Sequence, residues 1–284
     1  MDYVTPREAI TEAIQSSKAK AELPVSAMLL RGFLAGAFLS YATSLAIGVV
    51  AQGSPAILGA ILFPAGFVIL VLLGLELATG NFALLPLGLV AGQVRIRELL
   101  RNWAWVYAGN LMGSVFYAFL FYLVCTNFGA NNGGALGDQL RLIAQKKTLG
   151  YAAMGPSGLG VALIKALLCN WMVTVGTMLA FVSRSTIGKI TAMWLPILMF
   201  FAQGYEHSIV NMFVIPAGIL LKAPISLRQW WWWNQIPVTL GNILSGALLT
   251  GAALYVSHKP TPRLVPSTPI KSTGAPIQDE LVLN

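Results

Sequence analysis

The sequence predicts an all-α membrane protein of six transmembrane helices, arranged as two inverted three-helix repeats with the second and fifth helices interrupted. Three observations support this fold class. The 284-residue chain is 56% hydrophobic and only 10% charged, whereas soluble domains carry about 25% charged residues. Its apolar runs have the length of about 20 residues that a membrane-spanning helix requires. Short motifs of the first half recur in the second half at a nearly constant offset.

The apolar runs define the predicted spans. They cover Met28–Ala51, Leu58–Ala78, Trp103–Cys125, Val161–Val182, Thr191–Leu221 and Gln235–Val256. The second run continues past a polar gap into Phe82–Ala91, which is too short to cross alone, and the fifth is longer than one span needs. We therefore predict one pore domain over residues 25–257 with two broken helices.

The two ends of the chain lie outside this domain. Residues 1–24 are predicted to form a cytoplasmic amphipathic helix, because Thr5 and Glu8 form a capping box with Pro6 at the first helical position. Its apolar face is expected to lie on the membrane surface. Residues 258–284 are rich in Pro, Ser and Thr and are predicted to be a disordered cytoplasmic tail.

The basic residues predict the orientation. Six spans put both termini on one side, and that side carries twelve Lys and Arg residues: Arg7, Lys18, Lys20, Arg31, Arg95, Arg97, Arg101, Arg184, Lys189, Lys259, Arg263 and Lys271. The opposite loops carry five: Arg141, Lys146, Lys147, Lys222 and Arg228. Because cytoplasmic loops are enriched in Lys and Arg, both termini are predicted to be cytoplasmic. The net charge of +8 is thus explained by orientation and does not indicate nucleic-acid binding.

Three matches between the halves predict the repeat. Gly74-Leu75-Glu76 matches Gly204-Tyr205-Glu206, Gly109-Asn110-Leu111 matches Gly241-Asn242-Ile243, and Arg31 corresponds to Lys165. With three spans in each half, the halves have opposite orientations in the membrane. Paired broken helices in inverted halves point to a site near the midplane of a pore or transporter.

Four ionisable residues lie within or near the spans: Glu76, Lys165, Glu206 and His207. Such groups are costly at membrane depth and usually serve a pathway or a partner. We predict that Glu76 accepts hydrogen bonds from exposed backbone N–H groups and that Glu206 orients His207 or Asn170. His207 is the candidate functional group, because an unperturbed imidazole titrates near neutral pH.

The residues Thr79-Gly80-Asn81 are predicted to form the other helix break. The Thr79 hydroxyl could contact a substrate or His207, or could merely cap the following helix. Phe63, Phe67, Phe200 and Phe201 flank the breaks and are either packing residues or the constrictions of a pore. Cys125 and Cys169 lack ligand-type spacing, so we predict packing roles for them and no metal or cofactor.

The residues 204–213, GYEHSIVNMF, resemble the most specific motif of the formate/nitrite transporter family. Residues 169–173 (CNWMV) and 236–242 (IPVTLGN) resemble the motifs of that family's fourth and sixth spans. The resemblance covers about residues 5–257. It implies an aquaporin-like protomer in a homopentamer, embedded in a bacterial cytoplasmic membrane, that passes small monovalent anions together with protons.

The resemblance also implies roles for individual residues. His207 would be the central pore histidine, with Glu206 and Asn170 as neighbours, and Thr79 would be the polar residue of the second-span loop. Phe63 and Phe200 would form constrictions. Lys147 would be the lysine of the external vestibule, with Lys146 as the alternative. Ala78 and Phe67 would belong to the same constriction, but they depart from the Phe and Leu that are common in formate channels. Ala78 should then leave a wider gap beside Thr79 than Phe would, unless Phe67 fills the space, which leaves the anion open.

The predicted function is therefore transport of weak-acid anions, formate or nitrite first, with Lys147 and Lys165 attracting the anion and His207 serving its protonation. Lactate, acetate or hydrosulfide transport is the alternative within the same fold. A neutral-solute channel is the alternative of a different class, but the two breaks carry no Asn-Pro-Ala pair. A membrane enzyme is not expected, since no second His lies at metal-ligand spacing.

Overall fold

The computed structural model describes residues 2–258, and this part of the chain is helical throughout apart from short connections. The helices are, in order, α1 (Pro6–Ala21), α2 (Val25–Ala51), α3 (Ala56–Leu72), α4 (Ala78–Val90), α5 (Ile96–Cys125), α6 (Gly134–Ala153), α7 (Pro156–Leu179), α8 (Thr186–Ala202), α9 (Ser208–Leu220) and α10 (Leu227–Ser257). Helix α3 is divided at Phe63 by Pro64, and α10 contains π-helical stretches at Trp231–Gln235 and Ser245–Ala252. Of the predicted tail, only His258 lies within the described residues.

Four of these helices, α2, α5, α7 and α10, are long and apolar enough to cross a membrane. The second and fifth predicted spans are each present as a pair of shorter apolar helices, α3 with α4 and α8 with α9. Large apolar side chains such as Leu30, Phe116 and Leu195 are exposed on the outer surface. Such a surface suits a lipid environment, in which apolar side chains face outward.

Both interruptions are present, but the first lies at a different place from the one predicted. It spans residues 73–77, and the second spans 203–207. Thr79 is already inside α4, because the backbone N–H of Asn81 bonds to the carbonyl of Leu77 and closes the first helical turn. The polar Thr79-Gly80-Asn81 sequence is therefore the start of a helix and not the gap itself.

Helix α6 was missed by the sequence prediction, which treated residues 134–153 as part of an external loop. Its composition is too polar for a span, but one face is apolar. Leu140, Ala144, Thr148 and Tyr151 are buried at helical spacing, and Leu140 and Ala144 belong to the main hydrophobic core. That spacing was the available signal.

Helix α1 has the predicted capping box between Thr5 and Glu8. Its apolar face, however, does not lie open to a membrane surface. Ile10 and Ala13 are buried in a cluster with Leu84 and Leu87 of α4 and Met178 of α7. The face that the sequence suggested for lipid is therefore covered by the protein itself.

Glycines allow two pairs of helices to approach closely. A Cβ atom on Gly36 of α2 would lie 2.3 Å from the carbonyl oxygen of Asn110 in α5. A Cβ atom on Gly241 of α10 would lie 2.4 Å from the carbonyl oxygen of Leu163 in α7. Small residues at such crossings are a common basis of helix association in membranes.

We expect Gly36→Ala to destabilise the protein, because the added methyl group must displace backbone atoms of α5. Overpacking of this kind costs about 1–3 kcal/mol. Gly48→Ala on the same helix is the matched control, since a Cβ there meets nothing within 4 Å. The measurement is the thermal unfolding temperature in detergent. Equal unfolding temperatures for the two variants would contradict close packing at this crossing.

Candidate functional site

The two helix breaks have nearly identical backbone geometry. Gly74 and Gly204 occupy the left-handed region, at φ values of 63° and 64°. Leu77 (φ −110°, ψ 119°) and His207 (φ −112°, ψ 118°) are the extended residues that precede α4 and α9. Positive φ is readily available only to glycine. A glycine therefore occurs at the same place in both breaks because the backbone there needs a positive φ.

At each break, one buried asparagine binds freed backbone groups and also a carbonyl of a neighbouring helix. The Nδ2 of Asn110 donates to the carbonyls of Gly32 (2.8 Å) and Glu76 (2.9 Å), and its Oδ1 accepts the N–H of Ala78 (2.9 Å).

Asn242 repeats this pattern at the second break. Its Nδ2 donates to the carbonyls of Ala166 (2.8 Å) and Glu206 (3.1 Å), and its Oδ1 accepts the N–H of Ser208 (2.9 Å). These matched bonds at both breaks support the repeat that the sequence predicts.

The carboxylate at each break is held in a buried ion pair. Glu76 accepts hydrogen bonds from Lys20 Nζ (2.7 Å) and Asn81 Nδ2 (2.7 Å). It therefore serves the structural role predicted for it, but with side-chain donors in place of backbone N–H groups. The partner Lys20 comes from α1, which the sequence analysis had separated from the pore domain.

Glu206 forms the corresponding pair with Lys147, at 2.8 Å between Nζ and Oε2. It also accepts hydrogen bonds from the hydroxyl of Tyr151 (2.7 Å) and from Asn211 Nδ2 (2.7 Å). In residues 2–258, the side chains of His207 and Asn170 form no hydrogen bond with this carboxylate, so the predicted orienting role of Glu206 is not supported. A buried carboxylate needs a cation and hydrogen-bond donors to remain charged. The donors here come from α6, α9 and α10, the last through Asn234 Nδ2 at 3.3 Å.

His207 is bonded at both ring nitrogens. Nδ1 accepts the backbone N–H of Val210 at 3.2 Å, which caps α9. Since the Nδ1 lone pair is engaged, this hydrogen-bond network assigns the proton of the neutral ring to Nε2. Nε2 lies 3.1 Å from the Thr79 hydroxyl oxygen, and the ring stacks on Phe200 at 5.7 Å between centroids. His207 is thus arranged as a neutral hydrogen-bond donor.

Two cavities lie near the contact between His207 and Thr79. The first, which we call the His207 cavity, has a volume of about 320 Å³ and is lined by His207, Lys147, Phe200 and Phe201 among others. The second, the Lys20 cavity, has about 290 Å³ and is lined by Lys20, Phe67, Gly80 and Lys189 among others. The two cavities have no lining residue in common.

Aromatic rings pack beside the cavities. Phe63 is buried and lines neither of them. Its ring meets that of Phe200 edge-on at 5.7 Å and stacks on that of Phe201 at 3.9 Å between centroids. These packed rings form an apolar layer next to His207, which is the only histidine among residues 2–258 that lines either cavity.

Other predicted site residues occupy different positions. Asn170 links the two halves, because its Nδ2 donates to the carbonyls of Thr79 (3.1 Å) and Asn242 (2.7 Å), while its Oδ1 has no partner among residues 2–258. Lys165 lines neither cavity, and its Nζ lies 5.9 Å from the ring centroid of Tyr151. Lys147, and not the exposed Lys146, contacts Glu206.

Ala78 does not line either cavity. Its side chain is fully buried in the core, and its N–H is bonded to Asn110. The prediction that Ala78 leaves a gap in the pathway is therefore not supported, since a Phe at this position would overpack the core rather than narrow an opening.

Sequence reasoning missed several polar partners at the breaks. They are Lys20, Asn81, Asn102, Tyr151, Asn211 and Asn234. Some were visible in the repeat, because Asn81 and Asn211 have the same offset as the two Glu residues, and Asn102 and Asn234 the same offset as Asn110 and Asn242. Tyr151 has no counterpart of this kind and gave no signal.

Comparison with known proteins identifies the family. The model of the formate/nitrite transporter family matches residues 7–256. The chain belongs to the formate/nitrite transporter family. A formate channel of Bacillus thuringiensis is 32% identical over 268 residues, covering 91% of this chain and 97% of the relative.

Solved structures of the family agree with this fold. An FNT family ion channel superposes with a TM-score of 0.76 at 26% identity, covering 88% of this chain and 98% of the other. A pentameric formate channel with formate bound superposes with a TM-score of 0.68 at 27% identity, covering 82% and 97%. The formate/nitrite transporter assignment makes this protein an integral membrane protein whose relatives are transporters and channels.

Proposed function

We propose that this protein is a membrane channel or transporter for small monovalent weak-acid anions, with formate or nitrite as the first candidates. The observation that carries this proposal is the His207–Thr79 contact, with an apolar aromatic layer beside it and a separate cavity near each partner. Lactate, acetate and hydrosulfide are alternatives for the same pathway. The formate channels among its relatives support the order of candidates.

The pathway combines a polar contact with an apolar barrier. A bare anion in a dry aromatic layer faces a large desolvation cost, which a single added proton removes. An anion that reaches the His207 cavity can accept the hydrogen bond that His207 Nε2–H donates to the Thr79 hydroxyl in the absence of an anion. Because Nδ1 is engaged by Val210, His207 polarises the anion as a neutral donor, and the proton comes from solvent. The neutral acid then crosses between Phe63, Phe67 and Phe200.

The remaining expectations belong to the same proposal. The protein forms a homopentamer of six-span, aquaporin-like protomers, as the pentameric structural neighbour supports. Both termini lie in the cytoplasm, on the side of the Lys20 cavity, and the membrane is the bacterial cytoplasmic membrane. Glu206 and Lys147 hold the wall of the His207 cavity. Lys147 is not a free cation, so its ion pair argues against the simple attraction of anions that the sequence suggested.

Flux measurements in liposomes test this function. Purified protein is expected to carry formate and nitrite faster than lactate, with flux rising as pH falls because the neutral fraction of a weak acid increases. Thiocyanate, the anion of a strong acid, and glycerol are the controls and should pass slowly or not at all. Thiocyanate flux equal to formate flux would contradict the protonation step, and glycerol flux without anion flux would favour the neutral-solute channel.

Phe67 is expected to contribute to selection by size, because it lines the Lys20 cavity and is only 2% exposed. Phe67→Leu should raise the ratio of lactate flux to formate flux by opening this wall. Phe116→Leu is the matched control, since Phe116 lies on the exposed outer surface of α5. The same flux ratio in both variants would show that this position does not select.

A further inference from the structure

The Lys20 cavity contains more positive charge than negative charge. Most of its wall is apolar. Its polar lining residues are Ser16, Lys20, Asn81, Thr177 and Lys189. Lys20 is neutralised, because its Nζ lies 2.7 Å from Glu76 Oε1 in an ion pair whose carboxylate is only 2% exposed. The charge of Lys20 is therefore already compensated within the fold.

Lys189 differs from Lys20 in having no compensating group. It is half-buried near the start of α8, and within residues 2–258 its side chain forms no ion pair or hydrogen bond. The Ser16 hydroxyl on the same cavity wall is likewise half-buried and without a hydrogen-bond partner in the described part of the chain. Thr177, by contrast, donates its hydroxyl to the carbonyl of Val173 at 3.0 Å.

The His207 cavity does not have this excess. Among residues 2–258, Lys147 is the only one lining it that carries a permanent positive charge, and Lys147 is paired with Glu206 at 2.8 Å. The two ends of the pathway therefore differ in charge, although the repeated ion pairs make the two breaks alike. An unpaired ammonium group in an apolar-walled cavity raises the local concentration of small anions.

We infer that Lys189, together with the Ser16 hydroxyl, forms a binding site for a small monovalent anion in the Lys20 cavity. The identity of the anion rests on the proposed function, whereas the binding of an anion at this site does not. Lys189 supplies the charge and Ser16 a hydrogen bond, while Lys20 remains committed to Glu76. The site acts on one side of the membrane only, so that capture of anions from the Lys20 side is stronger than from the His207 side.

One-sided transport tests the site. Initial rates of labelled formate uptake are compared in intact cells and in inside-out vesicles from the same cells, at low ionic strength. In the vesicles, Lys189→Gln is expected to raise the half-saturating formate concentration by about fivefold, which is the size expected for the loss of one partly exposed charge contact. In the intact cells, this concentration should not change. Added salt should reduce the difference by screening. Lys189→Arg should resemble the parent.

Lys146→Gln is the matched control, because Lys146 is exposed and lines neither cavity. Ser16→Ala should give a smaller change of the same kind and the same sidedness. Parent-like half-saturation for Lys189→Gln in both preparations would overturn the inference. An equal change in both preparations would also overturn it, since the site would not be one-sided.

A binding measurement separates this inference from the proposed function. Line broadening of the chlorine NMR signal by purified protein in detergent reports anion binding without any transport. Lys189→Gln should lower the broadening relative to both the parent and Lys146→Gln, and formate should compete with chloride only when Lys189 is present. If the parent protein carries no formate but the Lys189→Gln variant still shows less broadening than the parent, the transport function is refuted and the binding site is retained. Unchanged broadening would refute the site.

Discussion

Replacing His207 with Phe is expected to lower anion uptake by at least about tenfold while leaving the oligomer folded. Phe retains a flat ring that can stack on Phe200, but it has no Nε2–H to offer an anion at the Thr79 contact. Losing a hydrogen bond to a charged group costs about 1.5–3 kcal/mol. Flux should therefore fall by at least about tenfold to a hundredfold. The measurement is formate flux in liposomes, with the oligomer verified by size.

Two further variants make this result specific. His258→Phe is the matched control, because the same substitution is made at the other histidine, which lies at the end of α10. His207→Asn separates transport from stability, since its amide oxygen can still accept the Val210 N–H as a helix cap, whereas the shorter side chain cannot reach Thr79. A folded His207→Phe protein with parent-like flux would make His207 merely structural.

Asn110→Ala and Asn242→Ala are expected to produce the largest losses of stability. Each side chain makes three hydrogen bonds to backbone groups, two to groups that its helix break leaves free and one to a carbonyl of a neighbouring helix. Each buried group left without a partner costs about 1–3 kcal/mol, so the two groups at the break alone should cost each variant at least about 2 kcal/mol. This corresponds to a fall of roughly 4–8 °C in the unfolding temperature.

The measurement is thermal unfolding of the purified protein in detergent. Gln52→Ala is the control, because Gln52 is an exposed amide after α2 with no side-chain hydrogen bond in the described residues. A loss in Asn242→Ala alone would mean that only the second break depends on its asparagine. Parent-like unfolding in both variants would contradict the structural role of the repeated amides.

The buried ion pairs explain why the breaks can persist in an apolar core. A broken helix at membrane depth exposes backbone groups and is tolerated where protein groups satisfy them. Asn110 and Asn242 satisfy the backbone, while Glu76 and Glu206 fix the ends of the two breaks to α1 and α6 through Lys20 and Lys147. Helices α1 and α6 thus become structural parts of the region around the two breaks, although neither is apolar enough to be predicted as a span.

The membrane class, the approximate apolar segments, the matched motifs of the two halves and the position of His207 at a helix break could all be predicted from the sequence. These features are local. The hydropathy of a short segment, and a glycine with a charged residue close behind it, can each be recognised without knowledge of the rest of the chain. The repeat also contains the pair Asn110 and Asn242, which match each other at nearly the same offset as Glu76 and Glu206.

The tertiary structure alone decided which groups meet. Lys147 pairs with Glu206 and Lys20 with Glu76 across 59 and 56 residues of chain, and nothing in the local sequence specifies such partners. The same holds for Ala78, whose small side chain reflects the packing of the core and not the width of a pore. Long-range packing determines where a side chain points. The pairing of charges, and the lack of an ion pair at Lys189 within residues 2–258, could therefore be read only from the fold.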